Sequence, residues 1–135
     1  GYLVANTLRA VLSQRLVRRI CDSCAEPYVP SPEERNWIMR VKQTDSFSAK
    51  FMHGAGCSYC NNTGYQGRVG IFELLELNTL MKDALRRNDS ADFSHQVSAA
   101  LQHQLLIDSA IDLIKNGVTS ITEVIRVIGE AYRHD

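Results

Sequence analysis

The sequence predicts an α+β chain, mostly helical, in which a module with short strands is built around four cysteines and is followed by a small helical bundle. Three observations carry that expectation. The cysteines fall into two matched pairs, Cys21/Cys24 and Cys57/Cys60. Turn-forming and β-prone residues crowd around the pairs, and from Asn78 onward apolar residues recur at helical three- and four-residue steps. The chain's 135 residues, 44% hydrophobic and 22% charged, have the size and composition of an ordinary globular domain or a small domain with a helical extension. No apolar run approaches the roughly 20 residues that span a bilayer, and no secretory signal opens the chain, so direct membrane insertion is not expected. The chain starts at Gly1-Tyr2 rather than Met, which suggests a piece of something longer.

Taken in order, residues 7–20 read as an amphipathic helix, with Leu8, Val11, Leu12, Leu16 and Ile20 as its apolar stripe and Arg9, Arg15, Arg18 and Arg19 off it. Ser31-Pro32-Glu33-Glu34 combines a cap, a proline at the first helical position and a glutamate at the capping-box position. The helix that it opens is expected to run to about Val41, carrying Trp37 and Ile38 inward. Residues 42–49 are polar and predict a loop, and 50–53 a short strand. Residues 61–70 are rich in turn formers, and 69–77 read as a strand beside the cysteine module. Asn78 can cap a helix to about Arg87, with Leu80, Met81, Ala84 and Leu85 inward. Further helices are predicted over 91–103 and 106–116, the latter stopped by Gly117. Ser120-Ile121-Thr122-Glu123 is a second capping box, opening a last helix with Ile121, Val124, Ile125 and Ile128 inward. Residues 88–92 are the hinge candidate.

The cysteine pairs carry the chemistry. A two-residue gap lets both thiolates of a turn point at one centre, and two such turns supply a tetrahedral thiolate shell. The 32 residues between the pairs are more than a plain ribbon needs, so a small folded piece must sit between them. The spacing favours structural Zn2+ held by Cys21, Cys24, Cys57 and Cys60. Against it stand two disulfides, which need an oxidising compartment, a redox pair, another soft metal, and four thiols buried by chance. Four sulfurs close the shell and leave no position for an activated water, so such a metal would stabilise rather than catalyse. His53 lies close enough in sequence to support a ligand but reads as an exposed loop histidine, and His95, His103 and His134 as solvated.

Fifteen basic and fifteen acidic side chains cancel, so a general nucleic-acid field is excluded. The distribution is uneven: residues 1–20 hold four arginines and no acid, and residues 89–135 hold seven acids against three bases. None of the four lysines, Lys42, Lys50, Lys82 and Lys115, follows a glycine, so no phosphate-binding loop is present, nor any HExxH or GxSxG motif. The sequence shows no catalytic residues. An independent zinc-binding adaptor for nucleic acid or protein stands as the alternative reading.

Three stretches together are specific. They are Gln14-Arg15-Leu16-Val17-Arg18 leading into Cys21 and Cys24, then Gly64-Tyr65-Gln66-Gly67-Arg68-Val69-Gly70-Ile71-Phe72-Glu73 after Cys57 and Cys60, and last Gly117-Val118-Thr119-Ser120-Ile121-Thr122-Glu123-Val124-Ile125-Arg126-Val127. In this combination the chain closely resembles, over nearly its whole length, the C-terminal part of the type II secretion and type IV pilus assembly ATPases (the GspE/PilB family). The resemblance implies that residues 1–20 are the last element of a RecA-like core, 21–77 a tetracysteine zinc module and 78–135 a C-terminal helical subdomain. It implies a parent that is a hexameric bacterial motor, cytoplasmic and peripheral at the inner membrane, with ATP and Mg2+ bound only in its upstream core. The partners implied are the rest of the ATPase, neighbouring subunits of the hexamer and an inner-membrane platform protein, with no nucleic acid. This region would then be a non-catalytic accessory part of a machine that assembles pilins or pseudopilins.

Overall fold

In a computed structural model, residues 10–100 and 106–129 are described. Four strands and five helices follow one another along them: β1 (Ala10–Ile20), β2 (Ala25–Pro27), α1 (Pro32–Val41), β3 (Met52–Gly54), β4 (Tyr65–Glu76), α2 (Thr79–Arg86), α3 (Ser90–Ala100), α4 (Leu106–Lys115) and α5 (Ile121–Ile128). The α+β class holds. Strand β1 pairs with β4, and β2 pairs with β3 in antiparallel register, Ala25 opposite Gly54 and Pro27 opposite Met52.

One element differs in kind from the sequence expectation. Residues 10–20 form a strand and not a helix. The stripe that suggested a helix advances mostly in steps of four, and a step of four also keeps residues on one face of a strand. Burial does not follow the stripe: Val17 and Ile20 are buried, whereas Leu12 and Leu16, central to the supposed inner stripe, are 59% and 48% exposed. The partner strand β4, with its β-branched and aromatic Val69, Ile71 and Phe72, supplies the ladder that overrides local helix propensity. Leu8 and Arg9, at the start of the expected helix, lie outside the described residues.

The chain divides into two compact units. Of the described residues, 10–14, 72–100 and 106–109 form the first, and 15–71 and 110–129 the second. Helices α2 and α3 belong to the first unit, while α5 belongs with the cysteine module. In the first unit, Asn78 caps α2 by accepting the Met81 N–H at 2.9 Å, and Met81 and Ala84 are buried, although Leu80, expected inward, is exposed. Residues 88–92, read as a hinge, run from a turn into the first turn of α3, which Asp89 caps by accepting the Asp92 N–H (3.0 Å). Helices α2 and α3 pack against each other.

The second unit carries most of the core: Val17, Ile20, Ile38, Ile71, Ile111, Ile114, Ile121 and Val124 are all buried. Helix α1 starts with a complete capping box, Ser31 Oγ accepting the Glu34 N–H and Glu34 accepting the Ser31 N–H. Gly117, at φ 72°, ends α4, with its N–H on the Ile114 carbonyl and the Val118 N–H on the Leu113 carbonyl. That is the reciprocal pair of bonds that satisfies the last carbonyls of a helix. Helix α5 lies against α1, where Thr122 Oγ1 donates to Glu34 Oε2 at 2.7 Å.

Candidate metal centre

The two cysteine pairs sit on two turns that face each other. The first turn joins β1 to β2 and is closed by the Cys24 N–H on the Cys21 carbonyl. The second follows β3, where Asn61 and Asn62 take φ of 57° and 62° and the Asn62 N–H bonds the Cys57 carbonyl at 2.7 Å. Backbone meets backbone here: across the base of the second turn a Cβ on Gly54 would run into the Gly64 carbonyl, and the Cys21 N–H of the first turn donates to that carbonyl at 2.9 Å. Only glycine allows so close an approach.

This packing brings the four sulfurs together. Sγ separations are 3.8 Å for Cys21 and Cys57, 3.9 Å for Cys24 and Cys60, and 3.7 Å for Cys57 and Cys60, and all four lie within 4.8 Å of one another. The thiols are free, and these distances are far beyond the ~2.05 Å of a disulfide. A tetrahedral shell with a metal–sulfur distance of about 2.3 Å has sulfur–sulfur edges of about 3.8 Å. The cluster therefore has the dimensions of a site that could hold a metal ion. Cys21 and Cys60 are buried and the other two half-buried.

Backbone amides support the sulfurs, with the Gly56 N–H pointing at Cys24 Sγ (3.3 Å) and the Gly64 N–H at Cys60 Sγ (3.2 Å). Crowding splits the thiols' acidities. Burial pushes Cys24 up to about 12, helped by the neighbouring thiols of Cys60, Cys21 and Cys57 and only partly opposed by the Gly56 amide. Burial opposes a charge on Cys60, yet backbone hydrogen bonds at Cys57 and Gly64 together with the Cys57 and Cys24 thiols outweigh it and bring it down to about 6. Without a cation, several thiolates at these distances would repel one another. A divalent ion is what would let all four ionise.

His53 takes no part in the cluster. It faces Glu26 across the β2–β3 pair, with Nε2 2.9 Å from Oε1, and stacks its ring on Tyr28 at 4.9 Å. His95 is exposed on α3, and His103 and His134 lie outside the described residues. The residue that sequence reasoning passed over is Glu123. Read as a helix cap, it is instead fully buried and accepts bonds from the Arg18 N–H (2.8 Å), the Arg18 guanidinium (3.1 and 2.8 Å) and the Arg126 guanidinium (2.8 and 2.9 Å). Burial would raise its pKa, but Arg126 and Arg18 hold it down to about 2.

Two distant turns of a small α+β chain thus converge on four thiols, a cluster that could hold a metal ion. Comparison places that module in a particular kind of protein. The family described as "Type II/IV secretion system protein" matches residues 1–126, and the chain belongs to that family. The chain is 31% identical over 130 residues to "Type II secretion system ATPase E" of Vibrio cholerae, a match covering 96% of this chain and 25% of that protein. It is 32% identical to "Type IV pilus assembly ATPase TfpB" of Acinetobacter baylyi (94% and 22%) and 30% identical to "Type IV pilus assembly ATPase PilB" of Thermus thermophilus (90% and 14%). The chain thus spans a quarter or less of the length of these relatives. Among the described residues, no helix is long and apolar enough to cross a membrane.

Proposed function

We propose that this chain is the C-terminal accessory part of a secretion or pilus-assembly motor, in which Cys21, Cys24, Cys57 and Cys60 hold one structural Zn2+. The observation that carries the reading is the set of sulfur–sulfur separations, 3.7–3.9 Å, on the edge length of a tetrahedral zinc–thiolate shell. Bound zinc would supply a fixed, redox-inert cross-link between the two turns. The chain's own residues do the rest: the four sulfurs bind, the Gly56 and Gly64 amides offset sulfur charge, and the Cys21 N–H ties the first turn to the Gly64 carbonyl beside the second.

No bond-making role falls to these residues. The part they play is mechanical, because a cross-linked surface transmits displacement that a loose loop would absorb. ATP and Mg2+ belong to the upstream core of the parent hexamer, and the moved partners are neighbouring subunits and a platform protein at the inner membrane. The reading predicts about one zinc per chain by elemental analysis, with four thiols unreactive until a chelator is added. It further predicts that Cys57→Ser in the full-length motor abolishes secretion or pilus assembly while leaving hexamers intact. Thiols that titrate freely in a metal-free protein, or assembly that survives the substitution, would overturn it.

A further inference from the structure

We infer that Glu123 is a positioning residue for the metal site, coupling the docking of α5 to the closure of the four-cysteine cluster, so that loosening either loosens the other. The inference rests on reading the cluster as a metal site. It starts from a departure: Glu123 stands where a capping-box glutamate would turn back to the Ser120 amide. Ser120 does its half by accepting the Glu123 N–H at 3.1 Å, but the Glu123 carboxylate is spent on the chain just before the first cysteine turn.

A buried carboxylate is costly unless every lone pair finds a donor. Here five donor contacts from two arginines surround it, and one of them is the backbone amide of Arg18, three residues before Cys21. The same stretch is gripped twice more from the turn before α5, and a further link runs through Tyr65 of β4. Thr119 Oγ1 donates to the Arg18 carbonyl at 2.8 Å, the Ile20 N–H donates to the Val118 carbonyl at 2.8 Å, and Tyr65, whose ring lies 4.1 Å under the Arg18 guanidinium, bonds Ser120 Oγ at 2.7 Å.

From Arg18 the connection to the sulfurs is short. The Cys21 N–H bonds the Gly64 carbonyl, and the Gly64 N–H bonds Cys60 Sγ. One peptide therefore carries both the α5 anchor and the first ligand turn, and one glycine joins that turn to the second pair. Metal binding and ordering of such a site are one equilibrium, which gives the carboxylate something to bias.

Coupling of this kind is reciprocal, and the test uses both directions on the zinc-loaded full-length protein. Transfer of zinc to a chromophoric chelator is timed for wild type, Glu123→Gln, Thr119→Val and the control Glu33→Gln, which changes an exposed carboxylate on α1. Release should be about tenfold faster for Glu123→Gln, severalfold faster for Thr119→Val and unchanged for the control, in the range that coupling between sites spans. In wild type, which needs no variant to fold, stripping the metal should raise amide exchange across α5 by a similar factor while α2 and α3 keep their protection. Release from Glu123→Gln within about twofold of wild type overturns the coupling, as does α5 exchange that ignores the metal. An equal rise through every helix also overturns it, since that places the effect in global folding. A protein that carries no zinc at all sinks the metal reading itself, a different result from zinc that is bound but indifferent to Glu123.

Discussion

The cysteine module and the α2–α3 pair are held together by different means. In the module, closure is non-local: Cys21 meets Cys57 and Arg18 meets Glu123, pairs separated by 36 and 105 positions. In α2–α3, the visible devices are local. Arg87 reaches Asp83, Asp89 and Asp92 at 3.0, 3.1 and 2.7 Å, and the caps act within three residues. Non-local closure costs chain entropy that only strong links offset, whereas local closure forms readily and gives way readily. Single substitutions in the module should therefore be severe, and those in the helical pair mild.

The largest expected effect follows from removing one sulfur. On the proposed metal reading, Cys57→Ser leaves a three-sulfur shell whose two turns are no longer joined by a full set of ligands. Residues 21–71 should become cleavable by protease and lose amide protection by at least about a hundredfold, as expected when a metal-linked fold loses its metal. Helices α2 and α3 should keep theirs. Parallel loss in both regions, read by peptide-resolved hydrogen exchange, would break the comparison.

The next effect depends on pH. Glu123 is held to about 2 in the folded chain against an ordinary 4.5, despite burial, by Arg126 and Arg18. Its folded value lies below its unfolded one, so the stabilisation is complete above about pH 4.5 and disappears as pH falls from there towards 2. The size is on the order of 3 kcal/mol. Metal binding by thiolates also weakens in acid, so the useful quantity is the difference in denaturation free energy between wild type and Glu123→Gln. That difference should be flat above about pH 5.5 and shrink steadily on acidification. A difference that persists undiminished at the acid end would remove the charge from the account and leave only packing.

How much of this could be read in advance follows the same division. Local devices were legible: Ser31 with Glu34, Asn78 before α2 and Gly117 after α4 each act within a few residues of where they stand. The cysteine set was legible for another reason, since the spacing of soft ligands is constrained by the geometry of the ion they could share. What escaped was whatever needed a remote partner. Strand β1 exists because β4 lies beside it, and its four-residue stripe fits a helix equally well until the partner is known. Glu123 occupies a legitimate capping position, and nothing nearby in sequence says that an arginine 105 residues earlier will claim it. Leu80 sits within a helical stripe yet faces out, because the stripe fixes a helix's periodicity and not how wide its covered face will be.

The smallest expected effect tests the local side. Arg87 is 48% exposed, and the carboxylates of Asp83, then Asp92, push its guanidinium further up, while Asp89 is held down first by the Asp92 backbone N–H and only then by Arg87. That ordering separates two kinds of bond. Water readily replaces an exposed ion pair, and about 1 M salt screens one at this distance. The Asp92 amide, in the first turn of α3, has no helical carbonyl to turn to if its cap is removed. Asp89→Ala should therefore lower the thermal midpoint more than Arg87→Met. The Arg87→Met loss should vanish at high salt while the Asp89→Ala loss persists. If Arg87→Met proves the more damaging and its effect survives salt, then α2–α3 rests on its charges after all, and the contrast with the cysteine module is one of chemistry rather than of distance along the chain.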